Sequence, residues 1–125
     1  MMDESIPVDL REFILRYIDS VAHLEALLLL RANAETTWDI ATIAQRLYTT
    51  EQQAAEVLTQ LCADGLLACE NDRYRYGRQS AENLATIDRL AASYAKQLIP
   101  ITNMIHGKPR RIRQFADAFK FRKGR

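Results

Sequence analysis

The chain has 125 residues, a formal net charge of +1 and 48% hydrophobic residues. This length suits one compact domain with an added element but not two full domains. No stretch reaches the roughly 18 apolar residues that a membrane-spanning helix needs. The acidic start, Met1 to Glu4, is not followed by an apolar segment of signal-peptide length. We therefore expect a cytoplasmic protein without a membrane span.

The two cysteines and two histidines limit the possible metal and redox chemistry. Cys62 and Cys69 are seven residues apart without a CxxC partner, and His23 and His106 lie far from both in the sequence. Metal sites usually combine more ligands at closer spacing. We therefore predict buried or inactive thiols, and neither a disulfide nor a structural metal, which agrees with a reducing cytoplasm.

The first third of the chain predicts two helices. Over residues 9–18, apolar residues recur at helical spacing, and Asp9 after Pro7 is a suitable N-cap. Ser20 is a suitable cap for a second helix over residues 21–31. This second helix is apolar on nearly all sides, which predicts a position in the middle of the core.

Two shorter helices are predicted next. Asp39 or Thr37 caps a helix that ends at about Leu47. After a tight turn at Tyr48-Thr49, Thr50 caps a helix that ends at about Ala63. Gln53 is placed to complete a capping box at Thr50, and Gly65 suits the left-handed position that follows a helix.

A β-hairpin is predicted directly afterwards. Its strands span residues 66–70 and 73–76, and Asn71-Asp72 forms the turn. The second strand alternates Arg and Tyr, which places its two arginines on one side and its two tyrosines on the other.

A long helix begins at Ser80, and its apolar residues follow a heptad spacing. Pro100 predicts a break between Lys96 and Ile99. The apolar stripe has two interpretations, a face packed on the chain's own core or a seam between two copies. The candidate dimerisation residues are Leu84, Ile87, Ala91, Tyr94, Leu98 and Ile101. A last short helix is expected over residues 110–121.

Charge is distributed unevenly along the chain. Residues 108–125 contain eight of the 17 Lys and Arg and one of the 16 acidic residues, a net charge of +7, whereas residues 1–107 carry −6. A basic segment of this kind binds phosphate, acidic lipid or an acidic protein surface. Its apolar residues also allow it to pack on the chain's own core with the cations in water.

The segment from Trp38 to Gly77 resembles the winged helix-turn-helix of bacterial transcription regulators. Its residues are WDIATIAQRLYTTEQQAAEVLTQLCADGLLACENDRYRYG. The resemblance implies that residues 50–63 form the recognition helix and that Asn71-Asp72 is the wing tip. The fold class we expect is mainly α with a small β-hairpin. It comprises a winged-helix domain with an N-terminal helix over residues 1–79 and a C-terminal helical extension over residues 80–125.

The resemblance also implies DNA binding, with the recognition helix in the major groove and the wing on the backbone. The residues expected to read bases are Gln52, Gln53 and Thr59. The residues expected to hold phosphates are Arg46, Arg73, Arg75, Arg78, Lys108, Arg110, Arg111 and Arg113. Two alternatives stay open. The helix over 50–63 carries Glu51 and Glu56 outward and no cation, as a solvated or protein-binding face would. The hairpin arginines also have acids nearby with which to pair.

The expected function is therefore that of a DNA-binding transcriptional regulator acting as a homodimer. The alternative is a winged-helix module that binds a protein partner without contacting DNA. Regulators of this family commonly dimerise through an added terminal helix. This favours the interpretation of the apolar stripe after Ser80 as a seam between two copies. The chain has no convergent acid, base and nucleophile set and no glycine-rich phosphate loop. We expect neither enzymatic activity nor a cofactor.

Overall fold

The computed structural model describes residues 6–77 and 79–108 of the chain. Its helices are α1 (Val8–Tyr17), α2 (Val21–Ala32), α3 (Ile40–Leu47), α4 (Glu51–Ala63), α5 (Ala81–Lys96) and α6 (Leu98–Gly107). Strands β1 (Leu67–Glu70) and β2 (Arg73–Tyr76) lie between α4 and α5. The predicted mainly α class with a small hairpin is thus confirmed. The helix predicted over residues 110–121 lies outside the described residues, as do Arg78, Arg110, Arg111 and Arg113.

Side-chain caps begin four of the helices, as predicted. Each cap accepts a hydrogen bond from the backbone N–H three residues further on. The caps are Ser20, Asp39, Thr50 and Ser80. The predicted cap of the first helix is wrong, because α1 begins at Val8 with Pro7 in the cap position and no side-chain hydrogen bond there. Asp9 lies in the first turn of α1 instead and forms an ion pair with Arg89 of α5.

α2 occupies the centre of the core, as its apolar surface predicted. Leu24, Leu27 and Leu30 are fully buried. Buried side chains from every other described helix and from both strands join them in a single cluster. Burial of this apolar area is the main stabilising contribution to the fold. Because α5 and α6 contribute to the same cluster, the C-terminal extension up to residue 108 shares its core with the preceding helices.

The hairpin is antiparallel and pairs Leu67 with Tyr76 and Glu70 with Arg73. Both residues of its turn adopt the left-handed conformation, which suits Asn and Asp in a tight type I′ turn. Trp38 extends the sheet by one residue, because its backbone exchanges two hydrogen bonds with Tyr74, of 2.8 and 2.9 Å. The start of α3 is therefore fixed against the edge of the hairpin.

The helical structure is interrupted at Gln97, between α5 and α6. This position lies within the range from Lys96 to Ile99 where the break was predicted. Pro100 lies in the first turn of α6, where its missing N–H has no intrahelical partner to lose. Within the two described ranges, no helix combines the length and the apolar composition needed to cross a bilayer.

The cysteine prediction is wrong. Cys62 and Cys69 form a disulfide, with their Cα atoms 6.1 Å apart. The tight turn at Gly65 reverses the chain after α4 and brings β1 alongside the last helical turn, so residues seven apart in sequence become neighbours. The bond therefore joins α4 to the hairpin, and the cysteine content no longer favours a reducing compartment.

Candidate nucleic-acid interface

The hairpin presents two arginines to solvent. Arg73 and Arg75 are exposed on one face of β2, while Tyr74 and Tyr76 are buried on the other. Glu70 lies directly opposite Arg73 in the sheet. Even so, none of the ion pairs found between described residues involves Arg73 or Arg75. Among the described residues, the hairpin acids thus form no ion pair with these two arginines.

Arg46 of α3 faces the same region from the other side. It lines a groove of about 320 Å³ together with Trp38, Asp39 and Arg73. Its guanidinium group lies 5.3 Å from the centre of the Trp38 ring, a cation–π contact that orients the side chain. Two arginines from different elements thus approach one groove.

A carboxylate moderates the charge of this groove. Hydrogen bonds from Thr42 hold the pKa of Asp39 below its ordinary value of 3.8, and the positive charge of Arg73 adds to the effect. Asp39 is therefore ionised at neutral pH, when it caps α3. The groove retains an excess of positive charge, with two guanidinium groups and one carboxylate.

A second groove, of about 470 Å³, runs along the hairpin, and its charged lining residues are Glu70, Arg73 and Arg75. It shares Thr37 and Arg73 with the first groove. The two grooves are therefore adjacent, and Arg46, Arg73 and Arg75 form one arginine surface. Guanidinium groups arranged in this way suit phosphate oxygens, to which they donate paired hydrogen bonds.

The outward face of α4 is exposed, as predicted, but it is not basic. Gln52, Gln53 and Thr59 are exposed, and so are Glu51 and Glu56. The side chain of Gln53 accepts a hydrogen bond from the Thr49 hydroxyl, so it does not complete the predicted capping box. The amide of Gln52 is available for a base edge, whereas the two glutamates repel phosphate.

The structure contradicts the predicted DNA contact of Lys108. Its side chain is only 4% exposed, and its ammonium group lies 3.3 Å from a carboxylate oxygen of Asp19. The ammonium also donates hydrogen bonds to three backbone carbonyls at the end of α1, over distances of 2.6 to 3.0 Å. These carbonyls belong to Ile14, Leu15 and Ile18. Lys108 therefore anchors the end of α6 to α1 and is not available to a phosphate.

The six candidate dimerisation residues do not form one exposed seam. Ile87 and Ile101 are fully buried in the chain's own core, which is the core-packing alternative of the sequence analysis. Leu84, Ala91 and Tyr94 are partly buried. Tyr94 also donates a hydrogen bond of 2.8 Å to Glu25 of α2. Leu98, at 49% exposure, is the most accessible of the six.

Tyr48 was not singled out by the sequence analysis. It lies in the turn between α3 and α4, is 96% exposed and has left-handed backbone angles (φ 57°, ψ 46°). A left-handed conformation costs an L-residue roughly 1–2 kcal/mol. The signal in the sequence that could have identified Tyr48 was an aromatic side chain in a tight turn, where Gly or Asn is usual.

Comparison with family models, with curated proteins and with solved structures gives no match to this chain. Among the residues that the structure describes, no three His, Cys, Asp or Glu side chains are grouped so as to hold a metal ion. The arginine surface and the neighbouring face of α4 are thus the features from which a function is inferred.

Proposed function

We propose that the chain is a DNA-binding transcriptional regulator of the winged-helix type. The order of α2, α3, α4 and the hairpin supports this proposal, and so does the isolated β-bridge that joins Trp38 to Tyr74 of the hairpin. In this assignment α4 is the recognition helix and the hairpin is the wing.

The observation that carries the proposal is the arginine surface. Arg46, Arg73 and Arg75 come from the helix before the turn and from the wing, and all three are exposed. Arg73 and Arg75 form none of the ion pairs found between described residues, so no such pair has to be broken before they bind a DNA phosphate. Phosphate contacts of this kind position a protein on the duplex.

The acidic residues of α4 limit what this helix adds to the affinity. With Glu51 and Glu56 exposed and no cation on the helix, phosphate binding has to come from other parts of the chain. Residues 109–125 supply seven Lys and Arg against one acid. We therefore propose that the arginine surface and this segment hold the backbone while Gln52 contributes to base reading.

The test is binding to mixed-sequence duplex DNA, measured by fluorescence anisotropy over a salt series. The Arg73→Ala, Arg75→Ala double variant is expected to bind more weakly and to reduce the salt slope by about 2, one unit for each phosphate contact. The Arg31→Ala, Arg89→Ala double variant removes the same charge from ion pairs with Asp88 and Asp9 and is the matched control. Absence of binding by the full chain at low salt would refute the proposal.

The contribution of the C-terminal segment is measured with a chain that ends at Pro109. This end point keeps Lys108 and its anchor on α1, so that lost affinity does not result from loss of that anchor. The shortened chain is expected to bind weakly and with a shallower salt dependence. Unchanged binding would assign the phosphate contacts to the arginine surface alone.

A second candidate function is a winged-helix module that binds a protein partner. The observation that favours it is the acidic face of α4. The Glu51→Gln, Glu56→Gln double variant separates the two candidates. Removing two repulsive charges raises DNA affinity at low salt if α4 faces the duplex. Unchanged DNA affinity would show that this face of α4 does not lie against the duplex, and would favour the binding of a protein partner.

The proposed regulator is also expected to be a homodimer, but not through the full apolar stripe. Using Ile87 and Ile101 between copies would require both side chains to leave the core. We propose that copies meet at the start of α6, where Leu98 and Ile99 are both exposed. The dimer is tested by light scattering, with Leu98→Asp expected to yield monomers.

A further inference from the structure

The two helices before the wing end in the same type of closing turn. At the end of α4, the N–H of Leu66 donates to the carbonyl of Leu61 and the N–H of Gly65 donates to the carbonyl of Cys62, both at 3.0 Å. This pair of bonds requires a residue in the left-handed conformation. Gly65 occupies that position with φ 76°, which glycine adopts without steric cost.

At the end of α3 the same pair of bonds closes around a tyrosine. The N–H of Thr49 donates to Ala44 at 3.0 Å and the N–H of Tyr48 donates to Gln45 at 3.3 Å. Tyr48 takes the left-handed position that Gly65 takes in the other turn. The chain thus places a bulky aromatic residue where its own second turn uses glycine.

Packing of the Tyr48 side chain does not offset the energetic cost of this backbone conformation. With 96% of its area exposed, the side chain contributes almost nothing to the buried core. The other left-handed residues besides glycine in the described ranges are Asn71 and Asp72, which tolerate the conformation well. A side chain that is unfavourable for folding and unpacked in the folded chain is best explained by a contact with another molecule.

We propose that Tyr48 contacts the DNA duplex at the point where α4 enters the major groove, an inference that rests on the proposed function. The turn that holds Tyr48 leads directly into α4. In this position its ring packs on the sugar-phosphate backbone, and its hydroxyl donates a hydrogen bond to a phosphate oxygen.

The surroundings of Tyr48 favour DNA over a protein surface. Its exposed neighbours along the chain are all polar or charged: Gln45, Arg46, Thr50, Glu51 and Gln52. Aromatic side chains that anchor protein complexes lie in well-packed, desolvated centres surrounded by other contacts. A single exposed aromatic ring, two residues after Arg46 in a polar stretch of the sequence, suits the sugar-phosphate backbone instead.

The test combines stability and DNA binding in the full-length chain. Tyr48→Gly reproduces the Gly65 turn, and Tyr48→Phe keeps the ring and removes the hydroxyl. Val8→Ala removes an exposed apolar side chain from α1 and is the control. Urea unfolding and anisotropy with the same mixed-sequence duplex are measured for each variant.

The Tyr48→Gly variant is expected to unfold at a higher urea concentration than the original chain and to bind DNA about tenfold more weakly, a loss of about 1.4 kcal/mol. Weaker binding by a more stable protein excludes a folding defect. Its salt slope stays unchanged because no charge is lost. The affinity of Tyr48→Phe lies between those of Tyr48→Gly and the original chain, and Val8→Ala binds as the original chain does.

Two results would overturn this inference while leaving the proposed function intact. One is equal DNA affinity of Tyr48→Gly and the original chain. The other is a lower urea midpoint of Tyr48→Gly, which would show that the ring stabilises the fold. If the original chain itself fails to bind at low salt, the proposed function and the role of Tyr48 fail together.

Discussion

Two tyrosine hydroxyls lie in surroundings that oppose ionisation. Burial, together with the negative charge of Asp88, raises the pKa of Tyr76 to about 12, against the opposing effect of Arg31. Burial also raises the pKa of Tyr94 to about 12, and the hydrogen bond to Glu25 adds to the effect. Both groups therefore favour the neutral phenol in the folded chain.

These pKa values predict a loss of stability at alkaline pH. Because the folded-state pKa values lie above the ordinary 10.0, the stabilisation is fully present below about pH 10 and is lost as the pH rises towards 12. The urea midpoint is measured across this range, with tyrosinate absorbance reporting ionisation. The Tyr76→Phe, Tyr94→Phe double variant is expected to flatten the decline.

Tyr76→Phe also provides an independent control at neutral pH. The Tyr76 oxygen is buried with no hydrogen-bond partner in the part of the chain that the structure describes. Replacing such a hydroxyl by hydrogen is neutral or stabilising, by up to about 1 kcal/mol. If Tyr76→Phe destabilises the chain at neutral pH, or if the double variant retains the full alkaline decline, the assignment to these two hydroxyls is wrong.

At the scale of the elements, the disulfide fixes the hairpin to the end of α4. It joins Cys62 in the last helical turn to Cys69 in β1 and closes a short loop around Gly65. A cross-link over so short a loop stabilises a protein by about 2–3 kcal/mol in the chain-entropy model. Reduction is therefore expected to lower the free energy of unfolding by this amount.

This prediction is checked by urea unfolding with and without a thiol reductant. The Cys62→Ser, Cys69→Ser double variant is the control, since its stability should equal that of the reduced chain and should not respond to reductant. Free thiols in the purified protein, detected by mass spectrometry after alkylation, would contradict the disulfide directly. Equal stability of the oxidised and reduced chains would contradict its energetic role.

The features that sequence patterns predicted depend on local contacts. Ser20, Asp39, Thr50 and Ser80 were identifiable because a cap bonds to a backbone group only three residues away. The break before Pro100 was equally local, since the ring cannot be accommodated within a helix. The alternation in β2 likewise placed Arg73 and Arg75 on one side of the strand, and the structure shows that this side is exposed.

The features that sequence patterns missed depend on how the elements meet. The distance between Cys62 and Cys69 is set by the turn at Gly65 and not by spacing alone. The apolar stripe from Leu84 onwards fitted a core and a seam equally well, because both require the same periodicity. Only the packing of α5 and α6 on the other helices placed Ile87 and Ile101 in the core.

At the scale of the whole molecule, Lys108 belongs to the basic segment over residues 108–125 and has a structural role. It closes the chain by joining the end of α6 to the carbonyls of α1 and to Asp19. The cations that follow, Arg110 and Arg111 first, come after this anchor in the sequence. A positive charge buried beside carbonyls at a helix end stabilises the fold through the helix dipole as well as through hydrogen bonds.

We therefore predict that substitutions at neighbouring cations change different properties, stability at Lys108 and DNA binding at Arg110 and Arg111. Lys108→Met is expected to lower the free energy of unfolding by about 3 kcal/mol, because the buried Asp19 carboxylate loses this partner. Lys96→Met, at an exposed position of α5, should change it little. Arg110→Ala with Arg111→Ala should reduce the salt slope of DNA binding by about 2. A reduced salt slope for folded Lys108→Met would show that its ammonium reaches DNA after all and that the anchor is dispensable.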